Sequence, residues 1–396
     1  MELNLVVDKV VHGKIYPSLA QHQAEPYTPQ WRQFNQHWPN TIPLRLQEYC
    51  EGHGITLHLY TNTDNYPATS FYPIALGWFN FGIDYFELLP ADIFMAVQTG
   101  RLRILFYYHE GDNPARITQR LDKLITKWAM PTDCYTVVSS NSAADYVDNC
   151  VAFQDSELWY WHRNETPALP VHNSPRSHEF TALVRLHKWW RAAVMSDLKQ
   201  HGVLDHSYWS YCEGETGHDT IDDCPIELDS VTGLRDNVQT FMQHAPYFAD
   251  DLDQNQRNDH SVNVDHFFTD AYCNIVLETM FDYDQSGGVL LSEKTFKPIK
   301  HGQLFFIAGA AGSLQVLRDL GYRTFDNVLD NSYDLEQNNT QRWILLRDAI
   351  IKAKTQGIDR LFEQCLPDII HNQHLFVAPK TQRLNILLEK LNDKQN

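Results

Sequence analysis

The chain has 396 residues, 43% hydrophobic and 12% aromatic, enough for two domains with cores of their own and incompatible with global disorder. Against 50 Asp and Glu stand 32 Lys and Arg, a formal charge of −18, so the surface repels nucleic acid unless a local groove reverses the field. No apolar stretch approaches the roughly 18 residues of a membrane span.

The opening MELNLVVDKVVHG lacks the basic and long apolar regions of a secretory signal. Seven scattered cysteines form no CxxC pair, so reduced thiols and a cytoplasmic setting are expected. Nineteen histidines form no HExxH or comparable cluster and read as surface residues.

In chain order, LNLVVDKVV alternates as a strand does, and the Pro- and Gln-rich stretch from Tyr16 to Pro43 reads as an irregular excursion. Leu44 to Cys50 resembles a short helix, and Ile55 to Asn62 reads as a strand. The aromatic run GWFNFGIDYFELLPADIF is read as core rather than as the lining of an acceptor cleft. Arg103 to Tyr108, RILFYY, predicts a buried strand that runs directly into His109-Glu110-Gly111-Asp112-Asn113-Pro114. A helical pattern follows, with Ile117, Leu121, Leu124 and Ile125 on one side. Tyr135 to Ser139 is the next strand and again ends in polar residues. This repeated strand, polar turn and helix is the pattern of a parallel sheet.

Prolines at 167, 170 and 175 mark 164–177 as an interdomain linker. Beyond it, Phe180 to Val184 reads as a strand and Trp189 to His201 as a helix stopped by Gly202. Arg185, Lys188 and Arg191 cluster at that junction; at a strand's carboxyl end, in an acidic protein, they mark an anion site. Residues 212–265 are acidic and loop-rich and read as excursions without chemistry. Their carboxylates lack EF-hand spacing.

The rest of the chain is organised around Tyr272 to Tyr322. Asn274 to Leu277 is a short bounded apolar run with Glu278 and Thr279 at its end. A loop with Gly287 and Gly288 leads to Ser292-Glu293-Lys294-Thr295, where Ser292 is placed to cap a helix complicated by Pro298. Leu304 to Ala308 is a second buried run. It ends in Gly309-Ala310-Ala311-Gly312-Ser313, with Ser313 as the expected cap of the next helix. Ligands bind beyond the carboxyl ends of strands in such sheets, which would gather Glu278, Glu293, Lys294 and Gly309. A helix start offers free N–H groups to an anion, and Lys294 adds a full charge. Helical segments 340–356, 357–371 and 380–394 close the chain.

Tyr272 to Thr279, then Leu291-Ser292-Glu293-Lys294-Thr295 and Phe305 to Gly309, together resemble the nucleotide-sugar signature of the α1,3-fucosyltransferases. The wider pattern, with Phe106 to Pro114 and Phe180 to Tyr211, also resembles glycosyltransferase-like proteins of tailed phages. The likeness covers about residues 100–340 and is weak outside the signature. It implies an α/β, GT-B-like fold of two facing Rossmann-like domains with C-terminal helices. These would be an acceptor-side domain at 1–165, a nucleotide-sugar domain at 175–345, and helices at 346–396 packing back across both. It implies a nucleotide-sugar donor and a hydroxyl acceptor, and, if phage-encoded, a host cytoplasm.

By motif match, Lys294 would touch donor phosphate, Glu293 the ribose, and Arg191 or Arg185 would supply a second phosphate cation. Tyr107 to Pro114 is similar to the segment that holds the family's catalytic carboxylate, with the order altered so that Glu110 and Asp112 compete for it. If Glu110 is the base, Asp112 is left to cap the helix near Pro114. Glu278-Thr279-Met280 stands where the family has glutamate–asparagine–serine, so the likeness carries the enzyme class and not fucose. Arg191 and Lys294 suffice to stabilise a leaving diphosphate, so no metal is expected, and Asp282-Tyr283-Asp284 matches a DxD by spelling alone. Two alternatives stand beside this reading. One is a transferase acting on a modified base in DNA, if Arg101, Arg103, Arg116, Arg120, Lys123 and Lys127 line one groove. The other is an inactive nucleotide- or glycan-binding protein.

Overall fold

The computed structural model describes residues 2–7, 55–61, 64–76, 84–108, 111–163, 175–212, 220–249, 265–282 and 287–393. The chain divides into two α/β units. One runs to Leu158 and takes in the residues from Pro379 onward; the other is Trp159–Ala378.

In the first unit, six parallel strands run in the order β2-β1-β3-β4-β5-β6: β1 Glu2–Val7, β2 Thr56–Thr61, β3 Phe71–Leu76, β4 Arg103–Tyr108, β5 Tyr135–Ser139 and β6 Cys150–Ala152. From Ile104 to Tyr108 the central strand β4 is an unbroken buried run because both of its faces are covered. Ile104, Phe106 and Tyr108 pack in a cluster with Ile93, Ala96 and Val97 of α1 (Ala91–Gln98) and with Ile117, Leu121 and Ile125 of α2 (Pro114–Lys127). Leu105 and Tyr107 point the other way, as strand alternation requires. They meet Leu384, Leu387, Leu388 and Leu391 of the last helix, α11 (Thr381–Asp393). An ion cluster adds to that seam: Lys380 Nζ lies 2.9 Å from Glu157 Oε1, and Arg383 also reaches this fully buried carboxylate, which belongs to α3 (Asp155–Arg163).

The second unit holds a parallel sheet in the order β10-β9-β7-β8: β7 His178–Val184, β8 Ser207–Tyr211, β9 Ala271–Leu277 and β10 Leu304–Ala308. The chain leaves β7 outward to β8, then returns to build β9 and β10 on the other side of β7. That reversal between β7 and β9 makes the topological switch point of a Rossmann-like unit. The helices are α4 (Trp189–Gln200), α5 (Leu234–Gln243), α6 (His266–Thr269), α7 (Glu293–Lys300), α8 (Ser313–Asp319), α9 (Asn339–Gln356) and α10 (Ile358–Val377). Helix α4 stops where Gly202 takes a φ of +67°, as its sequence predicts. Among the described residues no helix is long and apolar enough to cross a membrane.

Several expectations are corrected. The break between units falls at Leu158 and Trp159, inside α3, rather than at the proline-rich linker, most of which (164–174) lies outside the described residues. Of the closing helices, α9 and α10 belong to the second unit and α11 to the first, and α10 runs to Val377 rather than ending near 371. Within the acidic 212–265 stretch, read as loop-rich, the described residues 220–249 include the helix α5. Leu234, Val238 and Phe241 of α5 join the second unit's core, and Arg235 clamps Asp222 and Asp229. Of the aromatic run, Tyr85 and Phe86 are core, while 77–83 lie outside the described residues, as do Tyr16 to Pro43 and Leu44 to Cys50.

Candidate functional site

The carboxyl ends of β7 and β9 carry the densest set of charged groups that the sequence pointed to. Residues Arg185 to Lys188 form the turn leaving β7, and α4 begins at Trp189. Across the switch point, β9 ends in Leu277 and passes Glu278 and Thr279 into the loop that returns at Ser292. Ser292 caps α7 as expected, its Oγ accepting the Lys294 N–H at 3.3 Å.

Arg191 lies at the centre, in the first turn of α4, and is only 3% exposed. Its Nη1 donates to the Leu186 carbonyl at 3.0 Å and its Nη2 to the Glu278 carbonyl at 2.5 Å. The ring of Trp190 lies 5.2 Å from the guanidinium and stacks on Phe281 at 4.9 Å. Among the described residues Arg191 makes no ion pair, and its Nε has no hydrogen-bond partner. Burial pulls its pKa down to about 10, against the opposing pull of Glu278, Tyr211 and Glu293. A buried guanidinium whose direct hydrogen bonds go to carbonyls still has charge and a donor to offer an incoming anion.

Arg342 shows the contrast. It is equally buried, but all five of its N–H donors are taken, by the carbonyls of Gly309, Glu336, Gln337 and Phe281 and by Asn339 Oδ1. It is a clip holding three segments together.

The other cations surround Arg191. Lys188 Nζ donates to the Thr279 carbonyl at 2.6 Å. Lys294 Nζ lies 3.1 Å from Glu293 Oε1, 3.3 Å from Ser292 Oγ and 3.4 Å from Thr279 Oγ1. Arg185 is close enough to Arg191 to repel it. Among the described residues these four cations stand close to two carboxylates, Glu278 and Glu293, in a chain of net charge −18. Sequence reading missed His187 in this turn, whose Nδ1 bonds to the buried Tyr211 hydroxyl at the end of β8, and placed Thr279 at the strand end without giving it a role; a lone histidine and a lone threonine carry no local signal.

The Glu293 side chain is 16% exposed. Burial would raise its pKa, but the charges of Lys294 and Lys297 and a hydrogen bond from Lys294 overcome that and hold it at about 2. A carboxylate with a depressed folded pKa stabilises the fold above the unfolded value and loses that contribution as pH falls through the folded one. Wild type and Glu293→Gln should therefore differ by up to about 3 kcal/mol in unfolding free energy at pH 6. The gap should close between pH 4.5 and about 2 in parallel denaturant titrations. A constant gap across that window would mean that Glu293 stabilises by packing alone.

Two residues expected at the ligand surface turn inward. Glu278 is fully buried: Oε1 accepts from Ser292 N at 3.0 Å and Thr295 Oγ1 at 2.5 Å, and Oε2 from Thr279 N at 3.0 Å. It ties the returning loop and the start of α7 to the end of β9, and only its main-chain carbonyl faces Arg191. Gly309 is likewise buried. A Cβ there would lie 2.9 Å from Ser313 Oγ and 3.4 Å from Glu278 Cβ, so close packing accounts for the glycine.

Nor does Ser313 cap α8. It is the first helical residue, and Asp334 does the capping, accepting from Leu314 N at 2.9 Å and Gln315 N at 3.2 Å. The helix start after the Gly-rich turn is thus filled by the protein's own carboxylate.

In the first unit, Glu110 and His109 lie outside the described residues. Asp112 is half-buried, and α2 is capped by Asn113, whose Oδ1 accepts from Ala115 N at 3.0 Å, so the capping role considered for Asp112 is not its own. The loop is pinned from β5: buried Asn141 donates through Nδ2 to the Gly111 carbonyl at 2.9 Å. No group of three metal-ligating side chains occurs among the described residues; Tyr283 and Asp284 of the DxD spelling lie outside them.

Neither a family model nor a curated protein matches the chain. It is similar to the crystal structure of an alpha,alpha-trehalose-phosphate synthase (UDP-forming) from Burkholderia vietnamiensis, at 9% identity and a TM-score of 0.37, over 97% of this chain and 84% of that one. A likeness so remote leaves the functional reading to the site's own geometry.

Proposed function

We propose that the chain is a GT-B-type glycosyltransferase that moves a sugar from a nucleotide-sugar donor to a hydroxyl acceptor, and that the donor's diphosphate sits at the carboxyl ends of β7 and β9. The observation that carries this is Arg191: a buried cation with an unpartnered Nε and no direct ion pair among the described residues, at the switch point of a parallel sheet. Arg191, Lys188 and Lys294 hold the phosphates, with Arg185 adding charge, and Glu293 accepts from the ribose hydroxyls. A carboxylate of the loop after β4, Glu110 with Asp112 as the second candidate, takes the proton from the acceptor hydroxyl. The acceptor oxygen then bonds to the anomeric carbon as the bond to the diphosphate breaks, with inversion, and the cations meet the charge left on the diphosphate. These protein cations do this without a metal.

Lys294→Ala should weaken nucleoside diphosphate binding by one to two decades, since charge-assisted hydrogen bonds contribute about 1.5–3 kcal/mol, and should leave nucleoside binding nearly unchanged. Calorimetric titration with a panel of nucleoside diphosphates and their nucleosides reads this directly. Equal loss for both ligands would remove Lys294 from the phosphate site.

One observation favours an anionic acceptor, such as a modified base in DNA. Arg116, Arg120, Lys123 and Lys127 share the face of α2 opposite its buried stripe. Lys127 is paired with Asp84 at 2.7 Å, which shortens that basic face, and Arg103, on β4, donates to the Asp133 carbonyl. Salt-dependent oligonucleotide binding, lost in an Arg116→Ala, Lys123→Ala double variant, would support it.

A further inference from the structure

Thr279 is polar in three places, and each holds a different part of the site. Its N–H donates to Glu278 Oε2 at 3.0 Å, its carbonyl accepts from Lys188 Nζ at 2.6 Å, and its hydroxyl lies 3.4 Å from Lys294 Nζ. The two lysines come from different elements, one from the turn before α4 and the other from the first turn of α7. They converge on this one residue. The buried Glu278 carboxylate, itself fixed to Ser292 and Thr295, keeps Thr279 in place.

We propose that Thr279 is a positioning residue: it spaces Lys188 and Lys294 to take the two adjacent phosphates of a nucleoside diphosphate together, and so makes the site prefer a diphosphate over a monophosphate. This rests on the donor-site reading above and adds a residue and a selectivity to it. A free lysine side chain carries about 2 kcal/mol of rotamer entropy, and a pair already tethered at a fixed spacing has less of it left to lose on binding. Lys294 has two further partners, Ser292 Oγ and Glu293 Oε1. Without the Thr279 hydroxyl, its ammonium is drawn toward Glu293 and away from Lys188. A monophosphate needs only one of the two cations and does not register their spacing.

Thr279→Val keeps the shape and the main-chain bonds and removes only the hydroxyl; Thr279→Ser keeps the hydroxyl. Calorimetric titration of the full chain uses nucleoside diphosphates of the five common bases, with the matching monophosphates and nucleosides. Thr279→Val should lose about 5–10-fold in diphosphate affinity, the size of one modest hydrogen bond, and less than about 2-fold for the other two classes, within the scatter of a neutral surface change. Thr279→Ser should restore the wild-type preference.

A second measurement avoids touching Thr279. Lys188→Met and Lys294→Met, singly and together, form a double-mutant cycle on diphosphate affinity, and the combined loss should fall short of the product of the single losses. Unchanged diphosphate selectivity in Thr279→Val, equal loss for all three ligand classes, or strictly multiplicative lysine effects would each overturn the role of Thr279. A wild-type chain that binds none of the diphosphates would overturn the donor-site reading itself.

Discussion

Replacing Arg191 with methionine should lower nucleoside diphosphate affinity by at least 100-fold and abolish measurable sugar transfer, while the unliganded protein unfolds at nearly the same denaturant concentration. The two halves of this expectation have separate causes. A guanidinium meeting a phosphate in a buried site makes charge-assisted bonds of about 1.5–3 kcal/mol each, and the same charge stabilises the leaving diphosphate during transfer. Removing it from the empty protein relieves a buried charge that burial already pulls to a pKa of about 10. That relief offsets the two carbonyls left without donors, those of Leu186 and Glu278. Arg191→Lys should not restore binding, because an ammonium lacks the planar fork. A large stability loss with diphosphate affinity intact would make Arg191 a clip of the kind Arg342 is, and would remove the main support for the proposed function.

Glu110→Gln should reduce turnover by about 10²–10⁴-fold, the usual contribution of a positioned general base, with donor affinity and folding retained. The base has to reach the acceptor hydroxyl, and in the sequence Glu110, Gly111 and Asp112 follow soon after the buried central strand β4. Because Asn113 caps α2, Asp112→Asn should leave stability nearly unchanged rather than test a cap. Single-turnover kinetics at saturating donor and acceptor separate the two carboxylates. Near-normal turnover in Glu110→Gln with loss in Asp112→Asn would transfer the role to Asp112, and normal turnover in both would remove this loop from the chemistry.

Several elements were legible without any structure. RILFYY after its first residue, and LFFIA throughout, run without a polar side because strands covered on both faces have none, and both fold as parallel strands at the expected bounds. Ser292 as a cap and Gly202 as a stop were readable because both act on backbone groups only a few residues away. The cluster Arg185, Lys188, Arg191 and the pair Glu293, Lys294 were marked as an anion site because each begins a helix after a strand, and the fold brings both groups to one switch point.

The tertiary structure alone decided which of these charges remain available. Glu278 reads in sequence as a strand-end acid open to a ligand, but Ser292 and Thr295 lie against it and turn it into an internal cap. The helix start after Gly312 has no local cap, and Asp334 arrives from a later turn to fill it. Arg191 and Arg342 are each one arginine in a helix with acceptors nearby in the chain; the Gly309 and Phe281 carbonyls that complete Arg342 come from distant segments, and among the described residues no such group reaches the Nε of Arg191. Sequence periodicity reports which side of an element is buried, and local spacing reports caps within a turn or so. Neither reports which remote acceptor fills a donor. That assignment exists only once β9 lies beside β7, and it is what separates a buried arginine that binds from one that fastens.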